Sequence, residues 1–260
     1  MSLLEVTGLR KRFGGVEAVR GFNLAIEEGQ IVCLIGPNGS GKTTIFNLIT
    51  GLIPATAGHA VFAGRRDLIG LKPHAITALG VARTFQNQRL FNQMTVLENV
   101  LVGRCLHAKA GLPSIMLGLG SGRREKARMI AEAEALLTIF GERLAPLAEH
   151  SAGSLSYANR RRLEIARALA TQPRLLLLDE PAAGMNPTES RELMDDIRRV
   201  RDRGVTIVLV EHDMTVVRGI SDRVVALDYG IKIADGDFAV VRQHPQVVEA
   251  YLGRGAAAHA

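Results

Sequence analysis

Hydrophobic and polar positions divide this chain into short apolar runs and longer amphipathic stretches. "LLEVTGL" and "FNLAIEEG" alternate with period two within the first thirty residues, the pattern of edge strands, with a turn at Phe13-Gly14-Gly15. "QIVCLIG" is a short apolar run rich in β-branched residues. It leads through a Gly-rich loop into "KTTIFNLITGL", which reads as a helix ended by Gly51 and Pro54. "HAVFAG" and "VARTFQ" predict further strands. From Val96 to Phe140 helix-forming residues dominate, interrupted around Gly111–Gly122. Then come a helix at "RRLEIARALA", a buried strand at "RLLLLDE" and a helix "PTESRELMDDIRRVRDRG" closed by Gly204. Strands are expected at "VTIVLVEH", "DRVVALDYG" and "IKIADG", and the tail "GAAAHA" is expected to fray. There is no internal repeat and no long linker, and the order of elements is that of an α/β protein.

Composition sharpens this picture in a few places. At 260 residues the chain can bury one large α/β core or two small ones. Aromatic residues make up 4% and Trp is absent, so an aliphatic core is expected. No apolar run approaches the ~18 residues of a membrane helix, and "MSLLEVTGLRKRFGG" lacks the apolar core of a signal peptide. Cys33 and Cys105 form neither a disulfide framework nor a metal spacing, which points to a reducing compartment. The formal net charge of +6 is concentrated at Arg65-Arg66, "GRREKAR", "RRR" at 160–162 and "RRVRDR". Most of these are interleaved with acids or apolar residues at helical spacing and read as solvated helix faces. Base-stacking aromatics are not interleaved with them, so no nucleic-acid partner is expected.

The candidate chemistry begins at "GPNGSGKT". Gly36, Pro37, Asn38, Gly39, Ser40, Gly41, Lys42 and Thr43 fit G-x-x-x-x-G-K-[ST], with Thr44 next. Gly39 and Gly41 let successive backbone N–H groups face inward as an anion nest, and the helix beginning near Lys42 adds its N-terminal partial charge. Lys42 can reach the β/γ-phosphates of a nucleotide, and Thr43 can place a hydroxyl on Mg²⁺. At average residue usage such a pattern arises at fewer than about one position in ten thousand.

"RLLLLDEP" supplies the second half. Asp179, at the end of a buried strand, can point its carboxylate at the Mg²⁺ shell, and Glu180 can orient or deprotonate an attacking water. His212 directly follows "VTIVLV", which places it at the same edge of a parallel sheet, in reach of a γ-phosphate.

From about Leu3 to Gly253 the chain resembles an ABC transporter ATPase subunit. The resemblance implies a P-loop fold with a mainly parallel core sheet, an antiparallel β subdomain and a helical subdomain at about 92–170. These form a single domain over 1–253, with a disordered tail at 254–260. It implies that Phe13 stacks on adenine, and that Gln86 in "RTFQNQRLF" touches Mg²⁺ and senses a transmembrane partner. It makes Asp179 and Glu180 the metal ligand and catalytic carboxylate, and His212 the switch histidine. "LSYANRRRLEIARAL", "LDEPAAGMNP", "EHDM", "GISDRVVALDYG" and "HPQVVEAYLG" are most similar to an ATP-binding subunit of branched-chain amino acid importers. That similarity implies a head-to-tail pair of ATPase subunits, alike or different, peripheral on the cytoplasmic face of a membrane. Permease subunits and a substrate-binding protein would complete the machine. The segment after Gln86, with Leu90, Phe91 and Met94 poorly buried, is expected to receive a permease helix.

Leu155–Asn159 match the family's Leu-Ser-Gly-Gly-Gln signature, but Tyr157, Ala158 and Asn159 replace Gly, Gly and Gln. With Ser156 as N-cap, these three become the first helical positions. A helix N-terminus presents its N–H groups to a partner's γ-phosphate whatever the side chains, Pro excepted. The expected consequence of Ala158 is one methyl group at a crowded intersubunit interface. Asn186, where many relatives have Asp, is not read as damage. Two rival readings are a soluble ABC ATPase acting on nucleic acid and a non-catalytic nucleotide-binding module. The chain carries neither a second cassette nor long coiled coils, and Glu180 and His212 are both present.

Overall fold

A computed structural model describes residues 2–86, 89–107 and 120–252. The proposed disordered tail at 254–260 lies outside the described residues.

Strands β1 (Ser2–Phe13) and β2 (Val16–Glu27) form an antiparallel hairpin across Gly14-Gly15. Strand β3 (Ile31–Ile35) leads through the Gly-rich loop into helix α1 (Lys42–Ile49). Then follow β4 (Ala57–Phe62), the two-residue β5 (Arg66–Asp67), α2 (Pro73–Ala78) and β6 (Val81–Arg83). Helix α3 (Val96–Arg104) is closed at its start by a capping box between Thr95 and Glu98. Helix α4 (Gly120–Leu137) and 3-10 turns between Thr138 and Ser154 lead to α5 (Tyr157–Leu169). The remainder alternates as β7 (Leu175–Asp179), α6 (Pro187–Arg201), β8 (Thr206–Val210) and α7 (Met214–Ile220). Strands β9 (Arg223–Asp228) and β10 (Ile231–Gly236) precede the short α8 (Phe238–Val241) and α9 (Pro245–Leu252).

Two sheets result, a four-stranded one in the order β2-β1-β4-β5 and a six-stranded one in the order β10-β9-β3-β8-β7-β6. In the second, every pair from β9 to β6 is parallel and only β10 runs antiparallel. Each parallel strand buries both faces, which is why its sequence is a continuous apolar run. Cys33, Leu176, Leu178, Ile207 and Leu209 face the helices on one side. Val32, Leu34, Leu175, Leu177, Val208 and Val210 face the antiparallel sheet and α1 on the other.

Two local expectations are corrected. β1 is an inner strand of its sheet, and of these two strands β2 alone lies at an edge. Period-two alternation reports one buried face and is the same for an inner and an edge strand of an antiparallel sheet. The helical interruption predicted around Gly111–Gly122 overlaps α4, which already includes Gly120, Ser121 and Gly122; residues 108–119 lie outside the described residues.

Candidate nucleotide site

Register brings the candidate chemistry together. Leu34 pairs with Val210, Asp179 with Val210, and Arg83 with Leu177, so β3, β8, β7 and β6 all end at one edge of the sheet. The loop after β3, the acidic pair after β7 and the histidine after β8 therefore leave the sheet side by side. The carboxyl ends of parallel strands are where α/β sheets bind their ligands.

The loop from Gly36 to Gly41 depends on residues without a Cβ. Gly36 sits at φ 144°, and a Cβ there would lie 2.1 Å from the carbonyl oxygen of Leu227. Gly41, the N-cap of α1, sits at φ 103°, with the carbonyl of Ala18 at 2.7 Å from any added Cβ. Both close approaches exclude other residues. Lys42 is buried, and its ammonium donates to the carbonyls of Gly36 (2.6 Å) and Pro37 (2.9 Å) and to Ser40 Oγ (3.3 Å). Burial pulls its pKa down, while the nearby carboxylates of Glu180 and Asp179 pull it up. Its ammonium is thus folded against the carbonyls of its own loop. Ala18, Asn38, Gly39, Gly41, Lys42, Thr43, Thr44, Glu180 and His212 line a single small cavity of about 150 Å³. Phe13 is 49% exposed, with the ammonium of Lys11 over its ring at 4.9 Å.

Glu180 is held from two sides. Gln86 Nε2 donates to its Oε2 at 2.9 Å, and His212 Nε2 lies 2.7 Å from its Oε1. Its backbone sits at φ 48°, a left-handed conformation that costs a non-glycine residue energy and that recurs at functional sites. Asp179 is buried and bonded to the Arg83 guanidinium at 2.7 Å. Arg83 also donates to Asn47 Oδ1 at 2.6 Å and lies over the rings of Phe46 and Phe85.

A Mg²⁺ ion is consistent with these donors. The described residues hold no group of three or more His, Cys, Asp or Glu that would cage an ion. The Asp179 carboxylate, the exposed Thr43 hydroxyl and the Gln86 amide are hard or neutral oxygen donors. Such sparse oxygen sets suit Mg²⁺, which keeps its waters and is held chiefly by substrate phosphates.

Several residues at the site escaped the sequence reading. Glu211 is buried and accepts the N–H groups of Ala182 (2.9 Å) and His212 (3.2 Å), tying the segment after Glu180 to the histidine. Burial pushes its pKa up, partly countered by those two N–H bonds. Arg161 and Glu164, on α5, bracket the backbone before and at Gln86. Arg161 donates to the carbonyls of Phe85 (2.8 Å) and Gln86 (3.1 Å), and Glu164 accepts the N–H of Phe85 (3.3 Å). The two side chains are 0% and 2% exposed and pair at 2.8 Å. Arg162, 2% exposed, binds Asp196 of α6 at 2.7 Å. The "RRR" run is therefore not a solvated helix face: two of its three arginines are buried. The available signal was the Glu three residues after Arg161, which is helical pairing distance.

Ser156 caps α5, accepting the N–H of Asn159 at 3.3 Å, so Tyr157, Ala158 and Asn159 do form its first turn. The placement of the Ala158 methyl is corrected. Ala158 is 3% exposed, packed inside its own chain, whereas Tyr157 is 46% exposed and lies beside Gly184. The second position of a first turn faces inward here, and the first faces out. Asn186 caps α6 by accepting the N–H groups of Thr188 and Glu189. In the segment after Gln86, Phe91 is 50% exposed, while Leu90 and Met94 are half-buried and Leu90 packs on the core.

Comparison with known proteins agrees with this geometry. The ABC transporter family model matches residues 19–183, and that of the branched-chain amino acid ATP-binding cassette transporter matches residues 232–257. The chain is 45% identical to the high-affinity branched-chain amino acid transport ATP-binding protein BraF of Pseudomonas aeruginosa, over 96% of this chain and 98% of the relative. It is 46% identical to the corresponding protein LivG of Escherichia coli K12, with the same coverage. A nucleotide-free ATP-binding cassette from an ABC transporter superposes with a TM-score of 0.84 at 31% identity, covering 98% of this chain and all of the other. A dimeric post-hydrolysis cassette bound to ADP and Pi gives 0.73 at 26% identity, covering 90% and 98%. With a phosphate loop, an acidic pair and a histidine on one sheet edge, and with these relatives matched over nearly their full length, the chain belongs to the ABC transporter family, in the branch of the branched-chain amino acid transport ATP-binding proteins.

Proposed function

We propose that this chain is the ATP-hydrolysing motor of an importer for branched-chain amino acids or related small solutes. The observation that carries the reading is the suspension of Glu180 between Gln86 and His212, beside Lys42 and the loop N–H groups. ATP entering the loop draws the Lys42 ammonium from the carbonyls of Gly36 and Pro37 to the β/γ-phosphates. Phe13 offers an exposed ring to the adenine. Glu180 accepts the proton of the attacking water, and His212, at 2.7 Å, both orients that carboxylate and reaches the γ-phosphate. Thr43, Gln86 and Asp179 would hold Mg²⁺, which supplies neutralisation of the charge on the phosphates.

Ser156 and the first-turn N–H groups of α5 would complete the nucleotide site of a second ATPase subunit, alike or homologous. The dimeric cassette among the structural relatives supports this arrangement. Permease subunits would dock around Phe91, and a substrate-binding protein would deliver the solute. No helix among the described residues is long and apolar enough to cross a membrane, in keeping with a subunit peripheral to the cytoplasmic face. Residues 1–253 would act as one domain, with 92–170 as its helical part.

The test is Glu180→Gln, which keeps nucleotide binding and removes the base. ATP should then trap a dimer with its partner subunit in size-exclusion chromatography, with hydrolysis reduced at least a hundredfold. Hydrolysis at the wild-type rate would overturn the assignment of Glu180.

A further inference from the structure

We infer that Tyr251 is a positioning residue for the phosphate loop, so that the C-terminal helix α9 sets the affinity for ATP; the inference rests on Gly36–Thr43 being the ATP site. The N–H of Gly36 donates to the Tyr251 hydroxyl at 2.8 Å, across 215 residues of sequence. The carbonyl of the same glycine accepts from the Lys42 ammonium at 2.6 Å. Gly36 is thus gripped at both of its polar atoms, in a conformation and a space that admit no side chain.

Helix α9 is anchored independently of the loop. Val247 is 4% exposed and belongs to the main hydrophobic core. Between the helix and the loop lies a cleft of about 770 Å³, bounded by Pro37, Asn38 and Gly39 on one side and by Gln246, Glu249 and Ala250 on the other. Beside this cleft, Tyr251 makes the direct bond from helix to loop. Tyr251 is 40% exposed; like any tyrosine it is neutral at physiological pH, and its partial burial only pushes its pKa further up.

The contact matters when Lys42 changes partners. Once its ammonium turns to phosphate, the Gly36 carbonyl loses a charge-assisted bond. The hydroxyl on the N–H then remains to hold the first corner of the loop. Without it a buried N–H is left unpaired, and the corner relaxes away from the geometry that cradles phosphate.

The experiment compares wild type, Tyr251→Phe and Lys42→Ala by fluorescent ATP-analogue binding, steady-state ATPase in the assembled transporter, and amide hydrogen exchange. Tyr251→Phe keeps the ring and should raise Kd and KM for nucleotide about fivefold, the equivalent of one ordinary hydrogen bond. Its kcat should stay within twofold, and the peptide containing Gly36 should exchange faster. In the wild type, nucleotide should slow exchange in α9 as well as in the loop. Unchanged Kd and exchange in Tyr251→Phe would overturn the inference. So would a fall in kcat at constant KM, the mark of a lost active fraction, or an α9 in the wild type that is indifferent to nucleotide. Lys42→Ala separates the levels: if it binds nucleotide normally, the phosphate-loop reading itself fails. If it does not bind while Tyr251→Phe is normal, only the role of Tyr251 fails.

Discussion

Lys42 and Ser156 show how far single residues can be interpreted once their surroundings are known. Lys42→Ala deletes the one ammonium shared between loop carbonyls and incoming phosphate, so nucleotide affinity should fall by at least an order of magnitude in equilibrium binding. Ser156→Ala removes a helix cap worth ~1 kcal/mol and the hydroxyl proposed to meet a partner's nucleotide. Both stability and ATPase rate should drop, the latter more. Ala158→Gly acts differently because the methyl is inside the chain. It should cost ~1 kcal/mol of stability through helix propensity and lost packing, read as a lower melting temperature, with turnover within about tenfold of wild type. A hundredfold gain in turnover would contradict the inward placement of that side chain.

At the scale of elements, α5 is more than the carrier of Ser156. Its Arg161–Glu164 pair grips the backbone at Phe85 and Gln86, and Gln86 in turn holds Glu180. The helix proposed to face a partner's nucleotide is thereby tied to the Gln86 segment beside Glu180. Arg161→Met leaves the Glu164 carboxylate buried without its partner and should cost ~3–5 kcal/mol. Replacing both, as Arg161→Met with Glu164→Leu, should recover much of that stability, because the desolvation of two charges disappears with them. ATPase activity should stay low, since the two side chains that fix the backbone at Phe85 and Gln86 are then gone. Recovery of both properties together would show that the pair is only structural.

The pair also makes a prediction about pH. Burial raises the Glu164 pKa even with Arg161 beside it, so the folded chain binds this proton more readily than the unfolded chain. The corresponding stability is present at low pH and is lost as pH rises from the ordinary carboxylate value through the raised one. Losing Arg161 raises that pKa further. The melting temperature of Arg161→Met, relative to wild type, should therefore improve as pH is lowered from 7 toward 5. A constant difference across that range would mean that Glu164 is not the buried charge responsible.

Across the whole molecule, the permease-facing reading rests on one exposed ring more than on a broad apolar strip. Phe91 is half exposed and stands over Arg167 of α5, beside a hollow of about 360 Å³ lined by Phe85, Val102 and Glu164. A photoreactive residue in place of Phe91 should crosslink to a permease in the assembled transporter, while one at Leu90, packed on the core, should crosslink weakly. Equal labelling at both would place the docking surface elsewhere.

Much of this protein was legible in its residues because the determinants are local. Gly36–Thr43 need particular backbone angles and an adjacent lysine, so loop and chemistry share one stretch of chain. Continuous apolar runs announced the parallel strands, and the cap at Ser156 announced the start of α5. What stayed hidden depends on partners far apart in sequence. A buried arginine and a solvated one look the same in "RRR", because desolvation is decided by what packs over the side chain and not by its neighbours along the chain. Whether Ala158 or Tyr157 faces outward depends on the rotation of α5 against the core. Glu211 and Tyr251 gain their places from strand register and from a helix docked some two hundred residues after the loop it touches. Local backbone preference and residue chemistry could be read from the sequence alone; burial, register and long-range hydrogen bonding arise only when the chain packs.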